Sequence, residues 1–472
     1  MRGLPAIAAV CLLACNGDGA SNSLTVDVVA EQNPLNVLSQ RLRVHAPGGA
    51  TAVGEWSEDG IVRRSAPTQV SAGGEAVVHL LGLRPSTRYR AVVEIEGPAG
   101  TQRSDPVTFT TGPLPPELAQ VSLSVSGDPP DGYLLVDLLT GSPGILVAFD
   151  GRGELRWYRA FEGAAPVVEA KQLPGGNILA FLGSSTGWNP VHGEYLELAP
   201  SGEVLRTFRA TPPLYTDGHE ALLTDPGTAD ERLHLFGYES RMVDLAPFGL
   251  SGTGPVVGHN LQRLRADGEA EFDWSAFDHV GFDELVNPVS GSILDGDYDH
   301  PNSLHIDSQG NYLVSFRNLD ALFLVHRDTG DVLWRLGGNR SDFTILDDPL
   351  RGFSGQHDAR FLPDGNLLLF DNGTLHDPPT TRAVEYELDL GARTARRVWE
   401  FRAAAFNAFT GSAVRDDAGT TWVGLSMTGE VVRVARDGTT LWTARLSRRG
   451  EPAAFYRAVP IGSLYGACEG CR

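Results

Sequence analysis

Short apolar runs broken by Gly, Pro, Asp and Asn dominate the chain, and their period is two rather than 3.6. Over residues 23–112 alternating apolar positions recur in LTVDVVA, RLRVHA, EAVVHLLGL, YRAVVEIEG and VTFTT, with Gly/Pro/Ser turns between them. That spacing predicts a small β-sandwich. GPLPPEL (112–118) reads as a linker, taken as 113–119, and a longer unit recurs from about residue 120. In each copy an apolar strand enters an Asp/Ser-Gly turn or an equivalent, and a Trp or Phe follows. The copies are VAFDGRGELRW ending at Trp157, LELAPSGEVLRTF at Phe208 and LQRLRADGEAEFDW at Trp274. FLVHRDTGDVLW then ends at Trp334, YELDLGARTARRVW at Trp399 and VRVARDGTTLW at Trp442. A second turn lies between several copies, in LPGGNILAF (173–181), DSQGNYLVSF (307–316) and LPDGNLLLF (362–370). Two turns imply four short strands per copy, which is the pattern of a β-propeller blade. The expected fold is therefore all-β: a six-bladed β-propeller over 120–472 preceded by a β-sandwich. The count leaves open a seventh blade, or one closed by mixing N- and C-terminal strands.

The repeat gives polar residues an address. In GFSGQHDARFLPDGNLLLFDNG (352–373), His357 falls just before the second turn's strand pair. His300 and Asn302, in DYDHPNSLHIDSQGNYLVSF, fall at nearly the same place one repeat earlier, and His219, in YTDGHEALL, earlier still. Loops entering the innermost strands converge at one mouth of a propeller's channel, so these residues are expected to meet. A single propeller histidine more often bonds between blades than does chemistry; recurrence at one register is what raises these three. His45, His79 and His192 share no such position and read as surface or fold residues. Arg317 follows an apolar strand, where it either pairs with Asp320 or serves as a local anion donor. Three His, one Asn and one Arg suit a tetrahedral oxyanion. No carboxylate cluster accompanies them, so no metal is assigned, although three histidines leave a zinc site open in principle.

Composition narrows the setting. Net charge is −21 over 472 residues and no basic run occurs, which argues against nucleic acid. Lys171 is the only lysine. MRGLPAIAAVCLLACNG opens with Arg2 and an apolar run too short to span a bilayer, ending Leu12-Leu13-Ala14-Cys15. It predicts a lipoprotein signal over 1–14, with Cys15 lipidated and 15–22 a linker. The chain is then expected to be held on a membrane of the bacterial cell envelope, periplasmic or outer surface. Cys468 and Cys471, in ACEGCR, read as a local disulfide on the tail rather than a metal site.

Two resemblances follow from these motifs. Leu83-Arg84-Pro85-Ser86-Thr87-Arg88-Tyr89, closed by Phe109-Thr110-Thr111, resembles fibronectin type III domains, in which the tyrosine bonds back to the chain entering its strand. DYDHPNSLHIDSQGNYLVSFRNLDALFLVHRDTGDVLWRLGG, followed by QHDARFLPDGNLLLFDNG, resembles the bacterial arylsulfotransferases, or aryl-sulfate sulfotransferases. The linked elements are His-x-Asn-Ser, a strand ending Ser-x-Arg, Trp-x-Leu-Gly, Gln-His and Phe-Asp-Asn-Gly. The match runs over roughly 120–460 and is densest in 295–375. It implies a sulfuryl transfer from an aryl sulfate to a phenolic acceptor that needs no nucleotide donor and no cofactor. His357 matches the family's nucleophile, which forms a sulfohistidine. His300 and Arg317 match catalytic residues that hold the sulfate oxygens, and His219 and Asn302 match substrate-binding positions. Phe353, Tyr298 and Tyr456 are the aromatic candidates for stacking the aryl ring. Two other readings stand beside this one: a non-catalytic surface lipoprotein binding a glycan or protein, and a quinoprotein-like dehydrogenase. The second lacks a calcium-carboxylate cluster and the length for eight blades.

Overall fold

The computed structural model describes residues 26–467, apart from 99, 140–141, 164–165, 184–191, 249 and 287–297. Cys15, Cys468 and Cys471, and with them the lipidation and disulfide expectations, lie outside the described residues.

The strands between Asp27 and Thr110 form two sheets. One holds Asp27–Gln32, Gln40–His45 and Glu75–Leu80. The other is built on Thr51–Glu58 and Arg88–Gly97. The period-two pattern puts Leu42, Val44, Trp56, Val78 and Val93 into the core they share. Tyr89 behaves as its sequence context suggests: its hydroxyl accepts the Arg84 N–H at 2.8 Å and donates to Glu58 Oε1 at 2.6 Å. Glu58 in turn accepts from Arg156 Nη1 at 2.9 Å, with both side chains buried. The tyrosine thereby also braces the contact between this unit and the rest of the chain.

The described residues of 121–461 form six sheets in a propeller-like ring, antiparallel except for one added strand, Thr344–Leu346, which runs parallel to its neighbour Thr394–Arg402. Their first strands are Val167–Gln172, Tyr215–Thr224, Pro301–Ile306, His357–Phe361, Ser412–Arg415 and Phe455–Ile461. Each of these touches the next, and the last returns to the first. The chain ends close the ring twice over. Phe455–Ile461 is the inner strand of the sheet that continues through Tyr133–Leu138, and Val121–Gly127 is added outside Thr440–Arg448. This is the mixed closure that the repeat count left open.

The recurring tryptophans join neighbouring sheets. Trp157 Nε1 donates to Pro200 O at 2.7 Å, Trp274 to Gly330 O at 2.9 Å, Trp399 to Arg436 O at 3.0 Å and Trp442 to Gly151 O at 3.0 Å. Each acceptor lies in a tight turn of another sheet, so the Asp-Gly turn and the aromatic are two halves of one joint. Trp334 is the exception. Its indole N–H is buried without an acceptor among the described residues, and Phe343, in the segment leading to the extra strand Thr344–Leu346, packs edge-on at 5.4 Å.

Candidate active site

Gln-His-Asp at 356–358 is buried and anchored on both flanks. Gln356 Nε2 donates to Ser315 Oγ at 3.0 Å and to the Phe316 and Ala321 carbonyls at 3.2 Å, tying the strand to the preceding sheet. Asp358 adopts φ +52° and accepts the Ala413 N–H at 3.0 Å from the following sheet. A left-handed aspartate held in this way is backbone strain kept by its surroundings. His357 lies between these two anchors.

Its ring is oriented by acceptors. Nδ1 lies 3.0 Å from Gly355 O and 2.7 Å from Asn372 Oδ1. The Asn372 amide is itself fixed, because its Nδ2 donates to Asn407 O at 2.8 Å and Thr410 O at 3.0 Å. Nδ1 therefore carries the proton, and Nε2 keeps the lone pair. Burial holds this imidazole well below its ordinary value. The bond from Asn372 opposes that, while Arg317, His300 and His219 add to it electrostatically. At neutral pH the ring is an uncharged imidazole with one defined nucleophilic nitrogen.

The structure brings the predicted residues together around it. The His219 and His300 rings meet edge-on at 4.6 Å. His300 precedes its strand with φ +50°, and its carbonyl accepts the Arg317 N–H at 2.9 Å, so one local turn places both. Arg317 is buried, donates Nη1 to Asn318 Oδ1 at 3.0 Å, and has the Phe409 ring 5.8 Å from its guanidinium. The Asp320 carboxylate takes the Gly355 N–H at 2.6 Å and so shapes the turn before His357. Asn302 is also at the centre, but as a brace: it is fully buried and its Nδ2 donates to Gln356 O at 2.6 Å.

Of the three aromatic candidates only Tyr456 is at the site, with its ring 6.1 Å from His219 and its hydroxyl donating to His219 O at 3.3 Å. Tyr298 is sealed between Phe277 and Phe282, and Phe353 packs in the core over Gly337. Both fill apolar volume rather than face the histidines. Asp371-Asn372-Gly373, a run of turn-forming composition, acts as a support, since Asp371 accepts the Ser354 N–H at 3.0 Å and Asn372 orients His357.

Sequence reasoning missed the ions on the axis. Arg457 Nη1 reaches Glu169 Oε1 at 3.0 Å and Glu220 Oε2 at 2.8 Å, and its Nη2 donates to Asn302 O at 2.8 Å. Arg360 reaches Glu220 and Asp358, and Lys171 reaches Glu169 and Glu220. The signal for them was acid and base placed inside strands otherwise built for burial. The network ties the inner strands together around the site and includes the chain's only lysine. Among the described residues no set of three or more His, Cys, Asp or Glu is arranged to hold a metal ion.

A propeller-like ring with an oriented neutral histidine beside two further histidines and an arginine defines a centre for handling an anionic group. The arylsulfotransferase (ASST) family matches residues 172–447, more than half of the chain, and the chain belongs to that family. No curated protein matches it. Among solved structures it is similar to a Bacteroides caccae protein of unknown function, at 13% identity over 70% of this chain and 99% of that one, TM-score 0.44. It is also similar to the periplasmic gluconolactonase PpgL of Pseudomonas aeruginosa, at 15% identity over 70% and 99%, TM-score 0.40. A third is a virginiamycin B lyase from Staphylococcus aureus, at 9% identity over 71% and 92%, TM-score 0.37. Such distant likeness carries nothing about activity.

Proposed function

We propose that this chain is an aryl-sulfate sulfotransferase that works through a sulfohistidine on His357. Its six sheets act as the blades of a six-bladed propeller, and its N-terminal unit is a fibronectin type III-like domain. The observation that carries the reading is the protonation pattern of His357: Nδ1–H is held by Gly355 and Asn372, and the Nε2 lone pair is left for attack. In the first step Nε2 bonds to sulfur and the sulfur–phenolic oxygen bond breaks. The leaving phenolate takes a proton from His219 or His300. In the second step the acceptor phenol gives its proton back to that histidine, its oxygen bonds to sulfur, and the nitrogen–sulfur bond breaks. By analogy with phosphoryl transfer, charge gathers on the outer oxygens, and Arg317 with the two histidines is suited to stabilise it. Splitting the transfer at a covalent intermediate gives ping-pong kinetics. Lipid anchoring through Cys15 in the cell envelope belongs to the same proposal.

The test is release of nitrophenolate from 4-nitrophenyl sulfate, with and without added phenol, beside His357→Ala. Acceptor-dependent release that vanishes in the variant is expected. No release across a panel of aryl sulfates rejects the enzyme and favours a ligand-binding surface module.

A further inference from the structure

A fourth histidine stands behind the three at the centre. His259 lies on the strand Thr253–Arg265, fully enclosed, with a carboxylate facing each ring nitrogen. Its Nδ1 is 2.7 Å from Asp299 Oδ1, and its Nε2 is 3.6 Å from Asp217 Oδ2. Its backbone N–H donates to Asp299 Oδ2 at 3.0 Å. Each carboxylate also holds one of the site's histidines. Asp217 lies 2.9 Å from His219 Nδ1 and accepts the His219 backbone N–H at 2.9 Å, and Asp299 accepts the His300 backbone N–H at 2.9 Å. With a carboxylate oxygen facing each ring nitrogen, the doubly protonated form is favoured, since a neutral ring with its hydrogen on Nδ1 would turn the Nε2 lone pair toward Asp217. Burial pushes the Asp217 carboxyl up, but His219 and His259 together hold it well below the usual carboxylate range.

We propose that His259 is a positioning residue: an imidazolium that bridges Asp217 and Asp299, fixes His219 and His300 against each other, and cancels one of the two negative charges behind them. This rests on the sulfuryl-transfer reading above. A histidine that must donate to a leaving phenolate and then take a proton from an acceptor has to change state in each cycle. Two carboxylates behind it with no cation between them would set two negative charges beside a group that must lose and regain a proton. With His259 charged, the pair behind His219 acts as a single negative charge. The other groups facing His219 are the His300 ring and Tyr456 and Arg457 from the last inner strand, and His357 lies within its electrostatic reach.

Two measurements decide it. Imidazole nitrogen NMR of the intact protein, which needs no turnover, is expected to show His259 with both nitrogens protonated up to about pH 8. A neutral His259 near pH 7 overturns the proposal. The second is the pH profile of phenolate release. His259→Gln keeps a donor but loses the charge, so the alkaline limb is expected to move up by about one pH unit, with acceptor-dependent turnover at neutral pH falling roughly tenfold. Asp299→Asn removes the carboxylate at His259 Nδ1, and in that variant the NMR titration is expected to show His259 losing its second proton at lower pH. A merely structural histidine predicts slower variants with the limb in place, and that result overturns the proposal. Should His259→Gln fail to fold, Asp299→Asn and the NMR titration still decide. Absence of any turnover by the wild type counts against the transferase reading, while the NMR result judges the His259 imidazolium by itself.

Discussion

Asn372 Oδ1 lies 2.7 Å from His357 Nδ1, and this contact decides which imidazole nitrogen carries the proton. The amide cannot turn over cheaply, because its Nδ2 is committed to two carbonyls. Asn372→Leu is expected to lower kcat by about 10²-fold with a smaller change in KM, since the ring loses its alignment but His219, His300 and Arg317 remain. Steady-state kinetics with 4-nitrophenyl sulfate measure it, and an unchanged kcat would contradict the role given to Asn372.

The same geometry fixes a pH dependence. Burial and the cations around His357 depress its proton affinity, so the neutral form persists well below pH 6.5. The acid limb of first-turnover phenolate release is therefore expected far on the acid side of an ordinary histidine. Asn372→Asp places a carboxylate at Nδ1, favours the imidazolium, and moves that limb up. The sign is checked by following the burst of nitrophenolate from about pH 5 to pH 8; a limb near 6.5 in the wild type contradicts it.

His219, His300 and His357 were legible as neighbours because the blade repeat gives each a register, and register in a closed ring becomes proximity; Arg317 stood out only as an arginine following an apolar strand. What stayed hidden depended on side-chain direction. Asn372 sits in an Asp-Asn-Gly run whose composition says turn, and nothing in the sequence tells that its amide points back at His357. Tyr298 and Phe353 lie beside the motifs in sequence, yet they pack into cores, as most aromatics do. His259 lies on a strand that is not innermost, so it shares no register with the three histidines it supports. Closure of the ring by Phe455–Ile461 is a pairing across more than 300 residues, beyond the reach of any local pattern.

Arg457 touches Glu169, Glu220 and the Asn302 carbonyl while almost fully enclosed. Arg457→Met takes one buried cation from Glu220 and Glu169, leaving Lys171 and Arg360 to hold them, and is expected to destabilise the protein by about 3 kcal/mol near neutral pH. Burial pushes the Glu169 carboxyl up, while at Glu220 burial is outweighed by Arg360, Arg457 and Lys171, which hold it down, so the loss is expected to shrink as pH falls and Glu220 is protonated. Urea unfolding at two pH values measures it; equal losses at both would contradict the electrostatic cause.

The tryptophan joints give a paired test. Trp274 and Trp334 are both buried, but only Trp274 donates, to Gly330 O at 2.9 Å. Trp274→Phe strands that carbonyl and is expected to cost about 1 kcal/mol more than Trp334→Phe, which removes an N–H that has no acceptor. Midpoints of urea unfolding compare the two, and equal losses would mean that the repeated bond adds nothing to packing.

The central claim is a covalent one, and the direct measurement is mass spectrometry of the protein quenched after mixing with 4-nitrophenyl sulfate in the absence of acceptor. The account predicts one sulfuryl group per chain, on the peptide containing His357, formed in step with the nitrophenolate burst and discharged when phenol is added. Nitrophenolate release with no sulfuryl group on His357, or a sulfuryl group on another residue, would contradict it.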